Sequence, residues 1–124
     1  MGRARGRYRF PRGARIRRRS EIREAVRRGK RRRTSCLEVF VTDSPALRPR
    51  LALVVPRHGR KIVERNRLKR RLKEGARLEL LPRCRDRGAA LDIVIRARPQ
   101  AYEAESRQLL NEIGGLAEQL CSES

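Results

Sequence analysis

The chain has 124 residues, with 34 Lys plus Arg against 14 Asp plus Glu, a formal charge of +20 and a pI near 11.7. That length suits one domain, and such a charge points to nucleic acid or, less often, an anionic membrane surface. No apolar run approaches the roughly 18 residues of a membrane span, and the basic N-terminus lacks a signal peptide's apolar segment, so a cytoplasmic location with no membrane partner is expected. Cys36, Cys84 and Cys121 lack CxxC spacing and sit with one histidine, which makes neither a zinc framework nor a disulfide scaffold.

Charge is unevenly spread. Residues 1–33 hold sixteen basic and two acidic residues, whereas residues 88–124 hold three and six. Residues 1–19 are Arg/Gly-rich with almost nothing to bury, and the first 14 are expected to form a disordered basic arm. Ser20 can cap a short helix to Arg28, with Ile22, Ala25 and Val26 on one face and Gly29 as its stop. Lys30-Arg31-Arg32-Arg33 reads as a loop or the start of a strand. Residues 36–42 alternate, Leu37, Val39 and Val41 against Phe40 and Thr42. The near-continuous apolar run at 50–55 predicts a central strand. Pro56 ends it, and residues 57–61 make a basic loop.

Residues 64–74 then carry six positive charges, one asparagine and two leucines. Leu68, Leu72 and Ala76 fall on one stripe of a helix. Asn66, Arg70, Lys73 and Arg77 project from the other side, flanked by Arg67 and Lys69. Arg65 lies nearer the leucine stripe, where it can reach both protein and ligand. An ordinary solvated face mixes signs for i,i+4 pairing, whereas like charges crowded together call for an outside anion. Leu80-Leu81-Pro82 is expected to close the helix, with residues 83–88 as a second basic loop. Leu91, Ile93, Ile95 and Ala97 alternate in a further strand. The last helix is expected over about 101–120, on a stripe of Leu109, Ile113, Leu116 and Leu120. The order predicts an α+β (α/β) sandwich, one small sheet packed by helices.

Arg65-Asn66-Arg67-x-Lys69-Arg70-Arg71-Leu72 resembles the signature of the protein subunit of bacterial ribonuclease P. Arg17-Arg18-Arg19-Ser20-Glu21, the Arg28-Gly29 helix end, the Leu51–Val55 run and Ile93–Pro99 are similar in the same order, so the resemblance spans nearly the whole of a domain at 15–121. It implies an unusual left-handed β-α-β crossover around the basic helix, against the usual right-handed rule. It further implies partners, namely the catalytic RNA and precursor tRNA, and Mg2+-dependent hydrolysis carried out by the RNA as the 5′ leader is removed. Arg65, Asn66, Arg67, Lys69 and Arg70 would face that RNA. Lys73 extends the stripe by helix geometry, and Arg57, Arg60 and Lys61 retain charge in the loop before it.

The family's leader cleft corresponds to Ile22, Val26 and Phe40, where only Phe40 keeps the usual ring; packing into the core is the other reading of Ile22 and Val26. The loop departs as well, reading Pro56-Arg57-His58 where Ser-Lys-Lys is common, with Gly59 one residue farther from the Arg-Asn-Arg. Residues 1–124 hold no nucleophile–base constellation, so catalytic residues are not expected in this chain. A ribosome-associated RNA-binding protein and a protein-only nuclease are the alternatives, the latter disfavoured by scattered carboxylates.

Overall fold

A computed structural model of the chain describes residues 12–122. Its first long helix, α1 (Arg19–Arg28), buries Ala25 and leaves Ile22 and Val26 half-buried. It begins one residue ahead of Ser20: Arg18 takes the N-cap position and its carbonyl accepts the Ile22 N–H at 3.1 Å, so the expected serine cap is not used. Gly29 does end the helix, for a steric reason. A Cβ there would lie 2.4 Å from the Ala25 carbonyl oxygen and 3.0 Å from the Val41 nitrogen.

The basic run that follows is a strand, β1 (Lys30–Arg33), paired antiparallel with β2 (Leu37–Asp43). β2 alternates as its spacing predicts. Leu37 and Val39 enter the main core, with Val41 packed against it, while Phe40 joins a smaller cluster with Ile16, Ala25, Ala52 and Val94. β2 pairs antiparallel with β4 (Leu91–Ala97), and β4 pairs parallel with β3 (Arg50–Val54), giving the order β1-β2-β4-β3.

β3 is therefore an edge strand, not the central one its composition predicts. Its side chains feed both clusters, Leu51 the main one and Ala52 the smaller. Its flank is also partly covered, because the Ile16 N–H donates to the Leu51 carbonyl at 2.9 Å. Cover on both faces gives an edge strand the apolar run of an inner one.

Two parallel neighbours need a crossover, and the basic helix supplies it. α2 (Ile62–Gly75) buries Leu68 and Leu72, then runs through a π turn at Ala76–Leu80 into α3 (Leu81–Asp86). The expected closure at Leu80-Leu81-Pro82 does not occur. Pro82 falls in the first turn of α3, where its missing N–H costs nothing, and residues 83–86, expected as loop, stay helical. After β4 a 3-10 turn (Pro99–Glu103) precedes α4 (Ser106–Ser122), which starts later than the sequence suggests. Gly114-Gly115 does not interrupt it, because Leu109, Ile113, Leu116, Ala117 and Leu120 are all buried along one side. α4 packs close to α2: a Cβ on Gly75 would come within 2.7 Å of Ile113 Cδ1.

A buried ion pair joins the sheet to α1. Arg50 Nε and Nη2 donate to the two oxygens of Asp92 at 2.8 and 2.7 Å, and Nη2 also reaches Glu21 at 2.8 Å. Cys36 and Cys84 are buried free thiols. Burial, and then the neighbouring Glu112 carboxylate, push the Cys36 thiol up to about 11. The Cys121 side chain, Tyr8, Phe10 and residues 1–11 of the expected arm lie outside the described residues. The last part of that arm belongs to the fold: Arg12–Ala14 form a 3-10 turn, Ala14 is buried, and Arg48 Nε donates to the Gly13 carbonyl at 2.8 Å.

Candidate nucleic-acid interface

The loop that leads into α2 is pinned before the helix starts. His58 and Gly59 take φ of 48° and 80°, which turns the chain back toward the end of β4. His58 Nε2 lies 3.3 Å from the Ala97 carbonyl, and its ring meets Tyr102 edge-on at 6.3 Å. The Tyr102 hydroxyl in turn donates to the Pro56 carbonyl at 2.7 Å. Arg60 lies over the Tyr102 ring at 5.4 Å and between Glu64 and Glu103, each at 3.2 Å. Of the three loop cations expected to meet RNA, Arg60 is thus neutralised within the chain, while Arg57 and Lys61 remain exposed.

Arg65 does what its place near the leucine stripe suggests. Its Nε donates to the Val55 carbonyl at 2.9 Å and Nη1 reaches Asn66 Oδ1 at 3.4 Å, so the side chain clamps α2 to the end of β3. Beyond it Arg67, Lys69, Arg70 and Arg71 are exposed, and no described residue forms a hydrogen bond or ion pair with any of the four. Arg71 was not among the residues expected to bind, although it stands one turn after Arg67 on the same side and that spacing could have found it. Glu74 pairs with Arg77 and closes the far end of the patch. Lys73 leans inward and is half-buried; that burial, and then the charges of Arg15 and Lys69, push its ammonium below the ordinary lysine value.

Ile22 and Val26 pack half-buried against the smaller core cluster, and Phe40 lies within it, 6% exposed. The ring of Phe40 is not open. The Arg96 guanidinium sits 5.1 Å above it, 3.6 Å from Glu38, and Glu38 also holds Arg31 at 3.2 Å. Beside α1 the sheet therefore presents an Arg31–Glu38–Arg96 ladder over the one aromatic. Ile22 also lines a groove with Lys69 and Lys73, which brings a predicted leader residue next to two predicted catalytic-RNA residues.

Among the described residues, no three His, Cys, Asp or Glu side chains are grouped so as to hold a metal ion. No described helix is long and apolar enough to cross a membrane. The carboxylates of α2 and β4 are engaged: Glu64 with Arg60, Glu74 with Arg77, and Asp92 with Arg50.

The ribonuclease P family model matches residues 10–121. Over 102 residues the chain is 43% identical to the ribonuclease P protein component of Desulfovibrio desulfuricans, a match covering 79% of this chain and 74% of that one. Its fold is similar to the RNase P protein of Staphylococcus aureus, with a TM-score of 0.71 at 20% identity over 86% of this chain and 94% of the other. The RNase P protein of Thermotoga maritima is comparable, with a TM-score of 0.68 at 24% identity over 85% and 96%. At such identities the structural likeness speaks for the fold. The family match over almost the whole chain and the 43% identical relative speak for kinship, and the chain belongs to the family of ribonuclease P protein components.

Proposed function

We propose that this chain binds the catalytic RNA of ribonuclease P through the exposed face of α2 and steadies the 5′ leader of precursor tRNA along α1 and the adjoining sheet. The observation that carries the reading is the row Arg67, Lys69, Arg70 and Arg71, exposed together on a helix fixed between two strands. Four like charges without acids among them raise the energy of the free protein, and a phosphate backbone lowers it again. Arg65, held by the Val55 carbonyl, sets the angle of that face, and Asn66 adds a hydrogen-bonding group at its start. Arg57, Lys61 and Lys73 extend the positive surface. At the leader, the upper surface is the Arg96 guanidinium lying on Phe40, with Ile22 and Val26 as the apolar wall.

Phosphodiester hydrolysis belongs to the RNA in this reading, with Mg2+ held by RNA phosphates as hard oxygen ligands. The engaged state of Glu64, Glu74 and Asp92 supports it, since none of these carboxylates stands ready as a base. What the chain supplies is positive charge beside a crowded phosphate site and a fixed path for the substrate. A protein that works this way acts in the cytoplasm, where precursor tRNA is made.

The test is a salt titration of catalytic-RNA binding. About six phosphate contacts would give a log–log slope of magnitude about 4–5. A response flat between low and moderate salt would overturn the reading.

A further inference from the structure

Ile62 and Val63 open α2 with 57% and 67% of their surface exposed. Among the described residues the other large apolar side chains left exposed are Leu47 and Leu78, so only Ile62 and Val63 are neighbours. A single exposed aliphatic is ordinary surface. Two together in a helix's first turn go against local preference, because branched side chains lose rotamer freedom there and the helix dipole favours acids. With more than half of each exposed, the fold gains little packing in return.

Their place on the helix says what covers them. At roughly 100° per residue, Val63 points almost directly away from the buried Leu68 and Leu72. Asn66 and Arg67 flank it one turn on, and Arg70 stands in line behind them, all three exposed. Ile62 lies one turn before Asn66, and the exposed Lys61 precedes the pair. Glu64, the next acid in the chain, already holds Arg60 at 3.2 Å. The two aliphatics are thus an apolar pad inside the cationic row.

The occupant must be apolar at its centre and negative around it. A second copy of this chain fails, since it would set two cationic rows face to face. A membrane surface asks for an apolar stripe along the helix, and the leucine stripe of α2 is buried in the fold. A nucleobase with a phosphate on either side meets both demands. In a duplex the faces of a base are covered by its neighbours, so the base must be unpaired.

We propose that Ile62 and Val63 take the open face of one unpaired base of the catalytic RNA, with the flanking phosphates on Lys61, Arg67 and Arg70. The inference rests on the RNA-binding reading of α2 and deepens it, adding a contact that salt does not screen. A base face carries no donor and acceptor pattern, so the pad holds a base without choosing among the four.

Ile62→Ala combined with Val63→Ala in the full chain tests it. Alanine is the better helix former and both sites are exposed, so the thermal midpoint should hold. Catalytic-RNA binding, followed by fluorescence anisotropy over a salt series, is expected to weaken on the order of tenfold. The salt slope should not change, because an aliphatic contact releases no counterion. Ile62→Val combined with Val63→Ile keeps the apolar surface and should restore tight binding. Acylation of RNA 2′-hydroxyls at saturating protein is expected to show one unpaired nucleotide that the natural chain quiets and the double alanine variant leaves reactive. Unchanged affinity of the double alanine variant would sink the pad and leave the α2 reading intact. A loss accompanied by a lower slope would mean that the pair only positions the cations, and would overturn the base contact. A quieted nucleotide within a duplex would overturn the unpaired base. Binding to phosphatidylglycerol vesicles that the double variant loses, with catalytic-RNA binding kept, would reassign the pad to a membrane surface. Absence of any catalytic-RNA binding by the natural chain would sink both readings.

Discussion

Replacing Asp92 by alanine is expected to cost about 3–5 kcal/mol of folding stability. The Arg50 and Asp92 side chains are 11% and 4% exposed, so the charge left behind is out of reach of bulk water. Asp92 accepts two of the guanidinium's hydrogen bonds, and Glu21 accepts one from a half-open position. Glu21 alone can relieve the orphaned Arg50 only in part. Against a typical domain stability of 5–15 kcal/mol the loss is large. Urea denaturation followed by circular dichroism measures it, as a fall in the midpoint with little change in slope. A loss below about 1 kcal/mol would mean that water or a rearranged Glu21 compensates Arg50. Because Arg50 holds β3, β4 and Glu21 of α1 together, the same substitution should loosen α1 before the rest of the fold.

The second large effect concerns binding. The triple substitution Arg67→Ala, Arg70→Ala, Arg71→Ala is expected to weaken catalytic-RNA binding on the order of 100-fold at moderate salt and to lower the salt slope by about two. All three side chains are exposed, and removing crowded like charges does not harm a helix, so thermal stability should hold or rise slightly. Arg60→Ala is the contrast. Glu64 and Glu103 already neutralise that guanidinium, so its loss should change the slope by well under one. Fluorescence anisotropy with labelled catalytic RNA over a salt series separates the two. Equal slopes for the triple variant and the natural protein would show that the exposed face of α2 is not the interface.

The contrast marks where the sequence could be read and where it could not. The leucine stripe of α2, the alternation of β2 and β4 and the protein-facing side of Arg65 were all legible, because each is a local periodicity. Arg60 was legible only in part: Glu64 stands four residues on, but its second partner, Glu103, lies on a turn 43 residues away. The place of β3 was misread because composition records how many faces of a strand are covered, and says nothing about whether its flank is paired. Pro82 was read as a stop, since a π turn that lets a helix continue past it has no simple sequence signal. Ile16 hid among arginines, one apolar residue whose backbone proved to seat the chain on β3. Phe40 was legible as the one ring among Ile22, Val26 and Phe40, but Arg96 above it comes from a strand whose alternation speaks of burial and says nothing of which cation will cover a ring.

Cleavage of precursor tRNA at low magnesium, with the protein alone, a bacterial catalytic RNA alone, and both together, tests the central claim most directly. The account predicts leader removal only in the mixture. Cutting by the protein alone would place the chemistry in this chain, and a mixture no more active than the RNA by itself would contradict its role as the assisting subunit.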